Sequence, residues 1–346
     1  DDALRRVQQL YLKCIRHFVA QYHRHRDLVP ISDTVADILQ LCRRRPYRPG
    51  TYRTDFVVDR NNQIKLIETT CRYALNGYFT SGFTDRLADR FLQAHPSIHK
   101  IDDYTPFYDR MMEYFEPFDR VCYLKGSDQR NDTKYIVPLL EAAGFPVHMI
   151  PAEEVPGNVR RFEGAAVIGE LSHEEVCRLP RETITAMVDA GILNDLRTAF
   201  LLHDKRFFAL LCHDAFLRAA LSAGEIDFLR PYLIPTFTRR TAPEVWTQAR
   251  TGKDRWIIKP YNKGKSIDVF AGCLTPAAEW EALFDSGQAD AMVLQEFILQ
   301  RQFRGTIAGK AHQDYVVGTL LFFEEEYFGP GICRASSYPI TNKVDD

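Results

Sequence analysis

Arg53-Thr54-Asp55-Phe56-Val57-Val58-Asp59-Arg60-Asn61-Asn62-Gln63-Ile64-Lys65-Leu66-Ile67-Glu68-Thr69-Thr70 is the stretch around which the chain is organised. Two β-rich runs flank Asp59-Arg60-Asn61-Asn62, residue types that tolerate a tight backbone, so the stretch predicts a β-hairpin. Side chains alternate between faces along a strand. A turn with an even number of residues pairs odd positions of the first strand with even positions of the second. Arg53 and Asp55 then share a face with Glu68 and Thr70, while Phe56, Val58 and Ile67 occupy the opposite face and are expected to be buried. One cation, two carboxylates and a hydroxyl thus converge. A hard cation such as Mg²⁺ asks for one or two carboxylates, with waters and phosphates completing the shell. The alternative is a surface hairpin with cross-strand ion pairs.

The 346 residues suffice for two or three domains with a substantial core. Apolar residues make up 45% and charged residues 26%, the balance of a water-soluble globular protein. A net charge of −2 provides no basic field toward nucleic acid or membrane. No apolar run is long enough to span a bilayer, and Asp1-Asp2-Ala3-Leu4-Arg5-Arg6 does not read as a secretory signal. The eight cysteines show neither CxxC nor zinc-site spacing. Reduced thiols and a cytoplasmic location are expected.

Along the chain, residues 1–45 read as helices. Leu4, Val7, Leu10, Tyr11, Cys14, Ile15 and Phe18 follow a 3.6-residue period, and Ser32-Asp33 is placed to cap a second helix through Leu41. Tyr73 to Gly82 reads as a loop containing Asn76-Gly77, followed by helices over Asp85–Leu92 and Asp102–Glu116. Val121–Leu124, Pro146–Ile150 and Ala165–Ile168 read as strands, with a helix from Tyr135 to Ala143 after the first, which argues for a parallel α/β unit. Leu201–Leu221 reads as one helix carrying His203 and His213. Trp256–Pro260, Ser266–Gly272, Met292–Ile298 and Tyr315–Phe323 read as strands, and Glu324–Tyr327 as a turn.

Two lysines in the C-terminal half suit phosphate. Lys205 opens a helix, and Lys259 ends a strand before the polar loop Tyr261-Asn262-Lys263-Gly264-Lys265-Ser266. One lysine about 4 Å from a phosphate charge is worth on the order of 4 kcal/mol at an effective dielectric near 20. Two lysines and a metal can therefore hold a triphosphate without a Walker loop, and neither GxxxxGK[ST] nor GxGxxG is present. A hairpin with solvated lysines is the alternative for this segment.

The order of these pieces, a lysine helix, Pro235-Thr236, Ile258-Lys259-Pro260 with its loop, then Leu294-Gln295-Glu296-Phe297-Ile298, resembles the ATP-grasp superfamily. The resemblance implies that Lys205, Lys259 and Lys265 bind ATP phosphates and that Gln295, Glu296, Phe297 and Ile298 form the adenine-binding hinge. The acidic metal motif stands before the α/β unit rather than after the hinge. That order is similar to the circularly permuted synthetase domain of glutathionylspermidine synthases, in which Arg-x-Asp precedes Glu-x-Asn. Arg53-Thr54-Asp55 and Glu68-Thr69-Thr70 match, with Thr70 in place of Asn. The phosphate loop, with only Gly264, is leaner in glycine than the family's.

The fold so implied is α/β (α+β), a circularly permuted ATP-grasp with a preceding helical segment and a Rossmann-like pre-ATP-grasp unit. Its expected divisions are an N-terminal helical segment (1–46), the permuted metal-binding hairpin and helices (47–117), the pre-ATP-grasp α/β domain (118–200) and the nucleotide-binding subdomains (201–346). The implied activity is an ATP-dependent carboxylate–amine ligase that uses ATP and Mg²⁺. Asp55, Glu68 and Thr70 would serve the metal, and Arg53 and Arg334 the reacting groups. The Lys125–Asp132 and Arg72–Phe79 loops are the expected walls of a substrate pocket. The partners expected are a small carboxylic acid and an amine, not nucleic acid or membrane. The oligomeric state is left open, a homodimer being one option. A phosphotransferase and a non-catalytic nucleotide-binding scaffold are the competing readings.

Overall fold

The computed structural model describes residues 2–75, 77–97, 105–128, 132–264, 266–307 and 309–341. Lys265, Asn76 and positions 129–131 of the Lys125–Asp132 loop lie outside the described residues. The described chain is mixed α/β, and no helix in it is long and apolar enough to cross a membrane.

Helices Asp2–Gln21 and Asp33–Cys42 open the chain. Of the seven expected periodic residues of the first, Val7, Leu10, Tyr11, Cys14, Ile15 and Phe18 are buried, and Leu4, near its start, is half-buried. Ser32 caps the second, its hydroxyl accepting from the Val35 N–H at 3.3 Å. The strands that follow are β1 (Thr51–Val58), β2 (Ile64–Thr70), β3 (Arg120–Lys125), β4 (Val147–Pro151), β5 (Ala165–Glu170), β6 (Thr236–Phe237), β7 (Trp256–Pro260), β8 (Phe270–Ala271), β9 (Met292–Glu296), β10 (Gln302–Ile307), β11 (Lys310–Phe323), β12 (Glu326–Pro330) and β13 (Arg334–Ser336).

They form three sheets. The largest is antiparallel in the order β10-β11-β1-β2, with β12 and β13 also paired to β11. The early hairpin is therefore completed by the last strands of the chain. A parallel sheet, β4-β3-β5, is built from the three strands expected of an α/β unit. An antiparallel sheet, β6-β9-β7-β8, carries Lys259 and the Gln295-Glu296 end of β9.

The hairpin turns where expected. The Asp59 carboxylate accepts from the N–H groups of Asn61 and Gln63, each at 2.8 Å, and Asn62 takes φ 64°. Asn tolerates that left-handed backbone better than most residues because its short side chain bonds locally. Away from the turn the register is Arg53↔Thr70, Thr54↔Thr69 and Asp55↔Glu68, odd with even as expected, but the turn itself is not the even one expected: Val58 pairs with Ile64 across five residues, and a bulge rather than the turn restores the odd-with-even pairing. A β-bulge then intervenes, so that Phe56 faces Leu66. Ile67, expected on the buried face with Phe56 and Val58, is the extra residue at the bulge and lines a cleft instead. Leu66 takes its place in the core with Phe56.

Three further expectations are corrected. Leu201–Leu221 is broken into a π turn (Thr198–Leu202) and two helices, Arg206–Leu211 and Asp214–Ala220. At the first break the Lys205 N–H bonds the Tyr261 carbonyl at 2.9 Å, out of the helical ladder. The strand expected over Ser266–Gly272 shrinks to Phe270–Ala271, because Ser266 (φ 55°) and Asp268 (φ 54°) are left-handed, a conformation incompatible with a strand. The helix expected from Asp85 starts earlier, at Tyr78, within the expected loop, after Gly77 at φ 86°.

One large apolar core lies under the hairpin. Phe56 and Leu66 share it with the first helix and with Phe207 and Phe208. Phe18 stacks on Phe207 with ring centroids 5.2 Å apart, and the hydroxyls of Tyr11 and Thr69 are hydrogen-bonded. The N-terminal helix thus supports both the strand carrying Glu68 and the helix following Lys205. Each buried aliphatic or aromatic side chain contributes about 1.5–3 kcal/mol to that packing. A second core joins the parallel sheet to Tyr78, Phe107 and Phe115, and a third places Trp246 and Trp280 on the antiparallel sheet.

Candidate functional site

A cleft opens between the hairpin and the sheet that carries β7 and β9, enclosing about 790 Å³ when its solvent-filled mouth is included. Eight of the residues singled out from sequence line it: Glu68, Lys205, Lys259, Gln295, Glu296, Phe297, Ile298 and Arg334. Arg53, Asp55 and Thr70 stand on the hairpin beside the lining.

Glu68 is the meeting point. Its Oε2 lies 3.4 Å from Lys205 Nζ, across 137 positions of sequence. Burial alone would raise its pKa. Lys205, then Lys259 and Arg334, outweigh that effect and bring the carboxyl down to about 2. Lys259 Nζ donates to the Ile67 carbonyl at 3.1 Å. Burial lowers its pKa to about 8, against the opposing pull of Glu68. Both lysines are almost fully buried.

Lys205 is held by its neighbours. Its Nζ donates to the Lys263 carbonyl at 2.5 Å. Arg206 next to it binds the Asp204 carboxylate through Nε and Nη2, donates to the Pro30 carbonyl at 2.7 Å and lies over the Tyr261 ring at 3.8 Å. The segment before Lys205 and the loop after Lys259 are therefore locked together, which fixes both ammonium groups relative to the cleft.

Asp55, opposite Glu68, is buried and doubly paired. Arg53 Nε donates to Oδ1 at 3.1 Å, and Arg334 Nη2 donates to Oδ2 at 2.7 Å. Arg334 reaches it from β13 because Val317 of β11 pairs with both Val57 and Arg334. Arg53 has room beside the backbone at Gly77: a β-carbon there would stand 3.3 Å from Arg53 Nη1. Thr70 is half-buried in register with Arg53.

In the hinge, Gln295 is buried with its amide donating to the Thr236 hydroxyl at 2.8 Å. The N–H groups of Glu296 and Phe297 bond the carbonyls of Pro235 and Arg255 at 2.9 and 2.7 Å. These bonds fix the strand end at the cleft wall. The apolar wall includes Val57, Ile67, Ile234, Ile257, Val269 and Val317, a chemistry suited to a flat ring.

Sequence reasoning missed Val317 and the terminal Pro339–Thr341. The alternation within Tyr315–Phe323 carried a signal for Val317. Nothing periodic marks Pro339–Thr341, which is held by Gln300 Nε2 donating to the Pro339 carbonyl (2.8 Å) and the Ser266 hydroxyl donating to the Thr341 carbonyl (2.5 Å). The two loops expected to face a substrate do meet: Tyr73 OH donates to Asp128 Oδ2 at 3.1 Å, and Arg72 pairs with Asp128 at 3.7 Å.

For a metal, Glu68 is the carboxylate that lines the cleft, while the opposed Asp55 is buried with both oxygens held by Arg53 and Arg334 and would have to exchange one of them to serve as a ligand. No cluster of three or more His, Cys, Asp or Glu side chains able to hold an ion occurs among the described residues. Hard oxygen donors in this number fit Mg²⁺ that keeps waters and takes phosphate oxygens, not an all-protein cage.

The profile of the AnkG N-terminal domain family matches residues 7–201, more than half of the chain. The chain belongs to this family. The matched residues contain the whole hairpin with Arg53, Asp55, Glu68 and Thr70, and stop just short of Lys205. No curated protein matches the sequence. Among solved structures, the apo form of a glutathione synthetase-like effector from Globodera pallida is similar in fold, with a TM-score of 0.61 at 13% identity over 97% of this chain and 84% of that one. This member of the AnkG N-terminal domain family therefore has a glutathione synthetase-like fold.

Proposed function

We propose that the protein is an ATP-dependent carboxylate–amine ligase of circularly permuted ATP-grasp architecture. The observation that carries this reading is the convergence of Lys205 and Lys259 on Glu68 at one cleft. On this reading residues 1–46 are a helical support, 47–117 bring the metal-binding hairpin, 118–200 form a Rossmann-like pre-ATP-grasp domain and 201–346 hold the nucleotide. Adenine lies between the hinge Gln295–Ile298 and the apolar wall. Lys205 and Lys259 meet the phosphates, with Lys265 expected to join them.

Glu68 and Asp55 would hold Mg²⁺, with Thr70 acting directly or through water; bound there, the ion supplies charge neutralisation during phosphoryl transfer. The substrate carboxylate attacks the γ-phosphorus of ATP and releases ADP. An amine then attacks the acylphosphate carbonyl, and phosphate leaves with the C–O bond electrons. Arg53 and Arg334 would stabilise negative charge on the transferring phosphoryl group or the carbonyl oxygen. The meeting of the Arg72–Tyr73 segment with Asp128 supports these loops as the wall of the substrate pocket.

The test is ADP release measured against pools of carboxylic acids and amines, with products identified by mass. ADP formation that requires both an acid and an amine supports the ligase. AMP and pyrophosphate as products would overturn it.

A second reading, a nucleotide-binding scaffold without catalysis, is favoured by Asp55. Both its oxygens are taken by arginines, and Thr70 replaces an amide ligand. ATP binding without ADP formation in any acid and amine pool is the outcome that reading expects.

A further inference from the structure

The two carboxylates of the cleft are not standing open. Asp55 is bound by Arg53 and Arg334, and Glu68 by Lys205, with Lys259 close behind. Four cationic side chains thus surround two carboxylates. Such a site repels a bare divalent cation and attracts a polyanion. A triphosphate is also the natural competitor for Lys205 and Lys259, because it offers each ammonium a more highly charged partner than a single carboxylate. When the ammonium groups turn to phosphate oxygens, Glu68 is left with free lone pairs at the cleft wall. Its side chain is already about a quarter exposed, unlike that of Asp55, at 1%.

We propose that the site fills in a fixed order: a polyphosphate chain binds first, without metal, and by drawing Lys205 off Glu68 it creates the carboxylate to which the metal then binds. Glu68 is thus a competitor of the phosphates before it is a ligand. This inference rests on the nucleotide-site reading above and adds its order of assembly. The substitution of Thr70 fits the same scheme, since a hairpin lacking an amide ligand relies on phosphate oxygens to complete the metal shell.

The experiment uses the whole chain and four conditions: ATP with EDTA, inorganic tripolyphosphate with EDTA, ATP with Mg²⁺, and Mn²⁺ alone. Calorimetry reads the first three, and electron paramagnetic resonance reads free against bound Mn²⁺. Tripolyphosphate and ATP are expected to bind without metal, within about tenfold of the affinity of ATP with Mg²⁺, while Mn²⁺ alone stays free. Glu68→Gln removes the competitor and should tighten metal-free tripolyphosphate binding about tenfold, whereas Lys205→Ala should weaken it by at least as much. Circular dichroism establishes that each variant is folded, and the wild-type comparisons need no variant. Mn²⁺ binding alone to the wild type, or ATP binding only when metal is present, overturns the order and leaves the nucleotide site standing. Absence of ATP and tripolyphosphate binding in every condition overturns both.

Discussion

Asp55 and Glu68 sit directly opposite each other on the β1–β2 ladder, yet different parts of the chain neutralise them. Asp55 takes guanidinium groups from its own strand and from β13, while Glu68 faces Lys205 across the cleft. The division gives the two carboxylates different properties. Asp55 is a buried tie between the first and last strands of one sheet. Glu68 is a partly exposed charge whose partner, Lys205, lines the same cleft.

Neutralising either lysine should weaken nucleotide binding. One ammonium near a phosphate is worth on the order of 4 kcal/mol before desolvation is subtracted. Lys205→Ala and Lys259→Ala are each expected to lower ATP affinity by about 10- to 100-fold, a loss of about 1.4–2.8 kcal/mol. Calorimetric titration with ATP checks this; unchanged affinity in both variants would remove the phosphate site.

On the proposed nucleotide-site reading, Lys259 should make ATP binding depend on pH. Burial holds its pKa near 8, below the ordinary 10.5, so the ammonium is lost as pH rises through about 8. ATP affinity should fall across that interval in the wild type, and the Lys259→Met variant should lack this component. The same shift has a stability consequence: between about pH 8 and 10.5 the unfolded chain binds the extra proton, so this lysine's contribution to stability rises with pH there. Titration of affinity and of urea stability from pH 7 to 10 reads both signs.

Glu68 acts at the acid end. Its folded pKa near 2 lies below the ordinary 4.5, so its contribution to stability is fully present above about pH 4.5 and is lost as pH falls toward 2. The stability difference between wild type and Glu68→Gln should therefore shrink over that window and stay flat above it. Chemical denaturation at pH 2.5, 3.5, 4.5 and 6 measures it. A difference independent of pH would mean that the carboxylate is not held by its lysines.

Thr70→Asn puts an amide oxygen beside Asp55 and Glu68, the carboxylates proposed to hold the metal. In the presence of ATP it should tighten Mn²⁺ binding, by about tenfold if the effect matches that of other ligand-shell substitutions. Electron paramagnetic resonance titration reads the affinity, and no change would place Thr70 outside the metal shell.

Asn194 holds the hairpin in place from below. Its amide group donates to the carbonyls of Thr51, Tyr73 and Cys71 at 2.7, 3.2 and 3.4 Å, and its Oδ1 accepts from the Thr51 N–H at 2.6 Å. Asn194→Ala leaves these buried backbone groups without a partner and should destabilise the fold by about 3 kcal/mol, read by urea denaturation. Asn194→Asp should not restore it, because a carboxylate cannot donate to the carbonyls.

The bulge at Ile67 sets the register that brings Asp55 opposite Glu68, while the sequence alone determined the hairpin, the place of its turn around Asp59–Asn62, and the lysines at Lys205 and Lys259. These follow from local rules: turn chemistry, strand alternation and the ends of apolar runs. It also marked three short strands that do pair in parallel. Its failures came where a contact far along the chain overrode the local pattern. The Lys205 N–H left its helix for Tyr261, a bulge moved Ile67 to the cleft, and left-handed Ser266 and Asp268 cut a strand short. Only the tertiary structure decided that β11 pairs with β1 of the hairpin, that Arg334 shares Asp55 with Arg53, and that Pro339–Thr341 closes the cleft wall. The first two depend on a hydrogen-bond ladder and an ion pair between residues more than 250 positions apart, the third on bonds from Gln300 and Ser266, and no period within a window of sequence encodes such pairings.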